Sequence, residues 1–479
     1  MPLTRDLDAG ELQTPPDGIL GSFRDPAGSL IRHRDRILRA VRAEFVAEFE
    51  EFLASAFARK AMESGQLVHS IRVPTSIAAG AGVAAGALYE HERIPFPSYP
   101  HEWPPEMLAA AGELTLELAS SALPETFGLK DATPYNILFR GAAPVFVDTL
   151  SFERRNPLDP SWMAYAQFVR TTLLPLLAHR QFRLPPHQAF LAGRDGLDPE
   201  TVYRWASTFD RVSPSFLSLV SLPKWLSGRT SSETYRPKRS SSHEQASFIV
   251  AHLLESCRKR LRKLAPTQRD SVWSDYLEHK SLYTPQQLEQ KQAFVAEALE
   301  LATPRNVLDV GANEGRFSFL AAQRGASVVA IDSDPNVVGT IWRKAHERQL
   351  DVLPLIVDLT RPTPALGWRN QECDSFLDRA RGHFDLVMML AVIHHMLVTE
   401  RVPLADIFAL LSEITSDFAL IEFVSPADPM FRKIVRGREA LHADLTIGAF
   451  EAAAAPHFEI VRMAQIQGLS RWLYLFRKR

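Results

Sequence analysis

Cysteine is nearly absent from this chain of 479 residues: only Cys257 and Cys373 are present, far apart in sequence. That excludes a disulfide framework and a cysteine-ligated zinc centre, and it suits a reducing cytoplasm. No charge of one sign dominates. Lys and Arg number 54 and Asp and Glu 56, a formal net charge of −2, so nothing draws the whole surface towards a long nucleic acid or an anionic membrane. Long hydrophobic runs are missing too. The longest weakly polar stretch, SIAAGAGVAAGALY at 76–89, is too short to span a bilayer and is rich in Gly and Ala. The first residues have no apolar core and do not read as a secretory signal. Residues 1–19 read as a disordered tail.

What is there is ordinary for a globular protein: 46% hydrophobic and 23% charged residues. The length is too great for one typical core, so two domains are expected. A single composition break marks their junction. SGRTSSETYRPKRSSSHE, 227–244, is rich in Ser and Arg and nearly free of large apolar residues, as a linker or mobile loop would be. The expected layout is an α+β domain over 20–225, a linker over 226–246, and a C-terminal domain over 247–479 that includes lead-in helices near 247–264 and 285–302. CRKRLRK in the first of these helices reads as a solvated face, with Leu253, Leu254, Leu261 and Leu264 turned inward.

From Asn306 onward short apolar runs alternate with helical segments, the signature of βαβ units and a parallel sheet. The strongest signal is NVLDVGANEGRFSFLAAQRG. Val307 to Val310 form a buried strand, Gly311 to Gly315 a tight turn, and Arg316 to Gln323 a helix that Gly325 ends. Such a turn places backbone N–H groups at the carboxyl edge of a sheet, where ligands bind in open α/β folds. Gly311 lets the backbone approach a ligand. Asn313 tolerates a positive φ where many such loops have Gly. Asp309, just before the turn, can accept from an ammonium group. The next strand, SVVAID, ends in Asp332, about 20 residues after the turn, where an acid accepts from ribose hydroxyls. The turn is not Gly-x-Gly-x-x-Gly, which argues against NAD. Further strands follow: VLPLIVDL reaching Asp358, HFDLVMMLAVIHHM running into a histidine pair, SDFALIEFV around Glu422, and a final pair joined at Gly468.

In that order and spacing, LDVGANEG, VVAIDSD, IVDL and FDLVMMLAVIHH resemble the class I S-adenosylmethionine-dependent methyltransferases over the whole C-terminal region. The resemblance implies a Rossmann-like, seven-stranded α/β sheet with an antiparallel final hairpin, and S-adenosyl-L-methionine as cofactor. By matching position, Asp309, Gly311, Ala312, Asn313 and Gly315 would meet the methionine end. Asp332 and Ser333 would hold the ribose, Asp358 and Leu359 the adenine, and Leu390 and Ala391 the floor near the sulfonium. Methyl transfer needs the acceptor positioned and, for a hydroxyl, a proton removed. His394 or His395 could be that base; the alternative is that both are structural. Glu422 could orient the acceptor or merely close a strand end. No Asn-Pro-Pro-Tyr run follows the fourth strand, which disfavours planar nitrogen acceptors. The expected acceptor is a hydroxyl, less so an amine, of a small molecule or saccharide; the oligomeric state is open, with a homodimer compatible.

The N-terminal domain holds a second pattern. The helix PPEMLAAAGELTLELASSAL leads into LKDATPYNILF and then GAAPVFVDTLSF. The Asp131, Asn136 and Asp148 spacing, with a helix before and short strands between, resembles the protein-kinase-like and aminoglycoside-phosphotransferase-like families. There the first Asp orients an acceptor hydroxyl and the Asn and last Asp hold magnesium. By position Asn136 and Asp148 would form a Mg site for Mg-ATP. The departures are large. Leu-Lys precedes Asp131, Thr-Leu follows Asp148, no Gly-rich loop lies upstream, and Lys60 and Arg72 are phosphate cations only by default. The expectation is therefore a degenerate kinase-like domain acting as scaffold, acceptor-binding wall or dimer surface. A bifunctional kinase and methyltransferase is the alternative.

Overall fold

The computed structural model describes residues 18–20, 25–77, 85–227, 239–267 and 283–479. Most of the expected tail, the centre of the expected linker and part of the Gly/Ala stretch at 76–89 lie outside the described residues. Two compact units emerge. One comprises residues 1–140, 144–266 and 365–373, the other 141–143, 267–364 and 374–479.

The N-terminal unit opens with strands β1 (Gly18–Leu20), β2 (Gly28–His33), β3 (Arg36–Val41), β4 (Ser70–Val73) and β5 (Ala87–His91). They form an antiparallel sheet in the order β1-β2-β3-β5-β4. The sheet supplies the β part of the α+β domain expected over 20–225. The piece 70–73 alternates, with Ile71 and Val73 on one face, whereas in 87–91 Ala87, Leu88 and Tyr89 are all buried. Ile31, Leu38, Ala40, Val73, Ile77 and Leu88 make that face's core. A helix at Pro105–Ala122 follows, opened by two prolines whose missing N–H groups cost nothing in a first turn. Then come β6 (Phe127–Leu129), the pair β7 (Ile137–Arg140) and β8 (Ala143–Phe146), and β9 (Phe152–Arg154), which pairs with β6. The remainder is helical.

One boundary differs from the sequence-based layout. The helix expected near 247–264 begins earlier, at His243, because Ser242 accepts from the Gln245 N–H and caps it. It packs in the N-terminal unit, not the C-terminal one. Ala246, Val250, Leu254, Cys257, Leu261 and Leu264 form a buried stripe at helical spacing. Gly112 of the helix Pro105–Ala122 leaves room for Leu261, whose methyl would lie 3.1 Å from an added Cβ. The basic residues of this helix stay on the outer edge, where Arg258 and Arg262 both pair with Glu113 at 3.1 and 2.9 Å.

The C-terminal unit holds β10 (Asn306–Val310), β11 (Ser327–Asp332), β12 (Val352–Ile356), β13 (Phe384–Met389), β14 (Thr415–Val424), β15 (Phe458–Gln465) and β16 (Arg471–Lys478). They form a seven-stranded sheet in the order β12-β11-β10-β13-β14-β16-β15. The first five are parallel, and β16 runs antiparallel between β14 and β15. This is the expected sheet with its closing hairpin. The central strands read as apolar runs because both faces are covered. Val307, Leu386, Met388, Leu420, Leu473 and Leu475 pack on one face with Phe294, Val295, Ala298 and Leu299 of the helix Pro285–Ala302. Thr284 and Gln287 close a capping box at that helix's start. Among the described residues no helix is long and apolar enough to cross a membrane.

Candidate active site

The β10–β11 edge of the C-terminal sheet gathers the sequence-predicted cofactor residues. Gly311 has φ +65° and Gly315 φ +77°. Both lie in the left-handed region that favours glycine. A Cβ on Gly311 would sit 2.6 Å from Val392 Cγ2. The turn therefore brings bare backbone against the segment after β13. Asn313, with φ +49°, occupies the position where a side chain tolerant of positive φ was needed. Ala391 is less expected: its φ is +64°, a strained value for alanine at the carboxyl end of β13.

Two acids line this edge. Asp309 is 3% exposed, and Oδ2 accepts from the Ser318 hydroxyl at 2.6 Å. Burial pushes its carboxyl up to about 6, against the opposing pull of Ser318 and the Lys291 charge. Asp332 ends β11. Its oxygens accept from the Asn313 and Asp334 N–H groups at 3.1 and 3.0 Å, which ties it to the glycine turn. Burial raises its proton affinity as well. Ser333 follows it in the same turn. Asp358 lies just past β12. It accepts from the Thr360 N–H and hydroxyl at 2.9 and 2.5 Å and remains partly exposed, while Leu359 and Leu390 are buried. These residues suit an adenosine-bearing cation: a close-approach turn, an acid for an ammonium, an acid at the ribose position, and apolar walls.

The methyltransferase-domain family matches residues 259–458 of this chain. Nodulation protein NoeA of Rhizobium meliloti (strain 1021) is 30% identical over 466 residues, spanning 97% of this chain and 96% of its own. The chain belongs to the NoeA family and is an S-adenosylmethionine-dependent methyltransferase. Among solved structures, N-methyltransferase NodS from Bradyrhizobium japonicum WM9 in complex with S-adenosyl-L-homocysteine is 16% identical, with 41% of this chain and 88% of that one covered at a TM-score of 0.30. A magnesium protoporphyrin IX methyltransferase (ChlM) from Synechocystis PCC 6803 with bound S-adenosylhomocysteine is 18% identical, with 40% and 84% covered and a TM-score of 0.30.

In this NoeA-family chain the helix Ile393–Val398, which follows β13, carries the two histidines singled out in the sequence. The His394 and His395 rings lie with centroids 4.3 Å apart, tilted by 41°. His394 is 5% exposed, and its Nδ1 has no hydrogen-bond partner among the described residues. Burial, then His395 and Arg471, push its basicity down to about 3, so the ring is uncharged near neutrality. His395 faces outward. Glu422, expected either to orient the acceptor or to close a strand end, is turned inward. It is wholly buried, and Oε1 accepts from Tyr283 Oη at 2.5 Å while Oε2 lies 2.6 Å from Lys291 Nζ. Arg471 Nη1 stands 3.4 Å from Oε1. Oε1 is thus hydrogen-bonded and Oε2 ion-paired, without a hydrogen bond of its own. Lys291, Tyr283 and Arg471 were not singled out in the sequence. Nothing in a helical Lys or a strand-starting Arg marks it as buried until the strand register pairs Val424 with Arg471 beside Glu422.

In the N-terminal unit, Asp131, Asn136 and Asp148 do come together. Asn136 Nδ2 donates to Ser151 Oγ at 3.1 Å, and Ser151 donates to Asp148 Oδ2 at 2.5 Å. Asp131 has its proton affinity raised by burial and by the Asp148 charge, with Asn136 opposing. The cation beside them is neither Lys60 nor Arg72. Arg72 pairs with Glu50 at 2.5 Å near the surface. It is Arg39 of β3, 2% exposed, whose Nη2 meets Asp148 Oδ1 at 2.9 Å. Both Asp148 oxygens are thus bonded within the chain. Among the described residues no group of three or more His, Cys, Asp or Glu is placed to hold a metal ion.

Proposed function

We propose that the chain methylates a hydroxyl oxygen of a small molecule or saccharide, with His394 as the group that accepts from that hydroxyl. One observation carries this reading: an uncharged, buried imidazole beside the β13 edge whose Nδ1 is unclaimed. When bound, S-adenosylmethionine supplies a methyl already activated on a sulfonium. The residues at this edge then have to fix the acceptor and receive its proton. The neutral ring can accept a hydrogen bond from a hydroxyl at Nδ1 and so orient its oxygen, whereas an imidazolium has no lone pair to accept with. His395 packs against His394 and keeps its ring oriented. The near full-length likeness to a nodulation protein supports a role in nodulation for this chain too.

A second reading is phosphoryl transfer by the N-terminal unit. It is favoured by the convergence of Asp131, Asn136 and Asp148. The ion pair of Asp148 with Arg39 supports a structural cluster instead, and we take the unit as scaffold.

The test uses the full chain, S-adenosylmethionine with a deuterated methyl, and a panel of hydroxylated and aminated acceptors read by mass spectrometry. Label on oxygen is expected. His394→Gln should lower kcat about 100-fold or more, the usual scale of acid–base help, with S-adenosylhomocysteine affinity kept. Label on nitrogen alone, or full turnover in His394→Gln, would overturn the proposal.

A further inference from the structure

The helix Pro285–Ala302 carries one buried cation into the C-terminal unit. Lys291 is 4% exposed. Its ammonium lies 2.6 Å from Glu422 Oε2 and 3.5 Å from Tyr283 Oη. The Tyr283 and Phe317 rings flank it with centroids at 4.9 and 5.2 Å. An ammonium has three N–H donors to place, and a buried one is expensive to leave short of acceptors. Glu422 Oε2 forms a close ion pair with it but is not in hydrogen-bond geometry towards it. The tyrosine oxygen is distant and already accepts from Arg471 at 2.5 Å. Among the described residues Lys291 thus has one close counter-ion, Glu422, and one long hydrogen bond, to Tyr283, which leaves its N–H donors short of acceptors.

Lys291 stands at the glycine turn. Phe317, against which it lies, is the second residue of the helix Arg316–Ala322 that leaves the turn. Its charge is also felt by Asp309, at the turn's other end. An acid and a cation thus flank one backbone turn. The methionine part of S-adenosylmethionine ends in an ammonium and a carboxylate, a matching pair. Asp309 suits the ammonium. The turn itself, Gly-Ala-Asn-Glu-Gly, offers the carboxylate no cation, and Arg316 after it is exposed.

We propose that Lys291 binds the carboxylate of the cofactor's methionine part, and that Glu422, Tyr283 and Arg471 are positioning residues that hold it there. The support behind Lys291 is continuous. Arg471 grips Asp428 through Nε and Nη2 at 2.8 and 3.1 Å. Asp428 in turn caps the helix Pro429–Val435 by accepting from the Met430 N–H. Arg471 donates to Tyr283, and Tyr283 donates to Glu422. Glu422 and Arg471 project from adjacent strands on one face, in register with Leu473 and Val424. The ammonium is held from behind by groups fixed to two strands and a helix. The inference rests on S-adenosylmethionine as the cofactor, and is independent of the acceptor.

Calorimetry on the full chain tests it, with S-adenosylhomocysteine and its decarboxylated analogue as probes. The unsubstituted chain should bind the carboxylate-bearing compound at least about 10-fold more tightly, the scale of one charge-assisted bond. Lys291→Met should bind both alike, with affinity for the decarboxylated compound unchanged. That variant strands Glu422, so Lys291→Met with Glu422→Gln repeats the measurement without a lone buried charge. Arg316→Met should discriminate as the unsubstituted chain does. The proposal is overturned if the double variant still discriminates, if it loses both compounds equally while its melting temperature holds, or if Arg316→Met is the change that abolishes discrimination. Failure of the unsubstituted chain to bind either compound overturns the cofactor assignment, and the proposal with it.

Discussion

Arg39 and Asp148, 109 residues apart, form an ion pair 2.9 Å long in which the guanidinium is almost wholly out of water. Arg39 Nη1 also lies 3.9 Å from Asp25, and Nε lies 3.5 Å from His91 Nε2. Removing one partner of such a pair leaves the other buried and unmatched. Asp148→Ala should therefore destabilise the N-terminal unit by about 3 kcal/mol or more. Arg39→Met with Asp148→Leu should recover most of that loss. Denaturant melts of the single and double variants check the claim. A magnesium-dependent ATP turnover that vanishes in Asp148→Ala with the melt unchanged would restore the phosphotransferase reading.

Asp309 gives cofactor affinity a pH dependence. Its folded value is raised to about 6 from 3.8. Below that value the carboxyl carries a proton and cannot oppose an ammonium. Affinity for S-adenosylhomocysteine should rise as pH climbs from about 5 to 7 and then level off. Asp309→Asn should flatten the curve at its acid-limb level. A profile in the unsubstituted chain that stays flat across this window would exclude Asp309 as the ammonium partner.

Three buried histidines set an acid limit on folding. Burial lowers His91 and His394 to about 3 and His187 to about 4, each from 6.5. Between those values the unfolded chain binds more protons than the folded one. The stability each neutral ring contributes is therefore present above pH 6.5 and lost as pH falls, by about 1.4 kcal/mol per pH unit per ring. Asp309, raised to about 6, and Asp332 and Asp131, also raised by burial, act in the opposite sense at lower pH and offset part of that loss. Melting temperature should drop steadily from pH 6.5 to 4.5. His187→Phe should reduce that slope by about one proton's worth.

The C-terminal fold was legible because its signals are local. A buried strand, a glycine turn and an acid at the next strand's end lie within about 25 residues, and periodicity alone places them. Strand limits shifted only at the edges, as where β12 ends at Ile356, short of Asp358. What stayed hidden is the group of buried charges around Glu422. Lys291, Glu422, Asp428 and Arg471 are brought together by tertiary packing across 180 residues, and each alone looks like a charge that faces water. The same holds for Arg39, which lies in a strand buried on both faces from Leu38 to Val41, where a lone charge gives no sign of its partner. The helix His243–Leu264 was misplaced for a related reason: its apolar stripe says that it packs, and not against what.

Gly311 offers a last test that separates backbone geometry from chemistry. An added Cβ there would stand 2.6 Å from Val392 Cγ2 on a backbone at φ +65°. Gly311→Ala therefore combines a clash with left-handed strain of about 1–2 kcal/mol. It should cost cofactor affinity at least about 10-fold as the turn retreats from the ligand. Gly325, at φ +90° with nothing within 4 Å of its added Cβ, supplies the control. Gly325→Ala carries the strain without the clash, so it should lower the melting temperature yet leave S-adenosylhomocysteine affinity unchanged. Equal loss of affinity in both variants would mean that strain alone, and not the close approach at Gly311, governs the site.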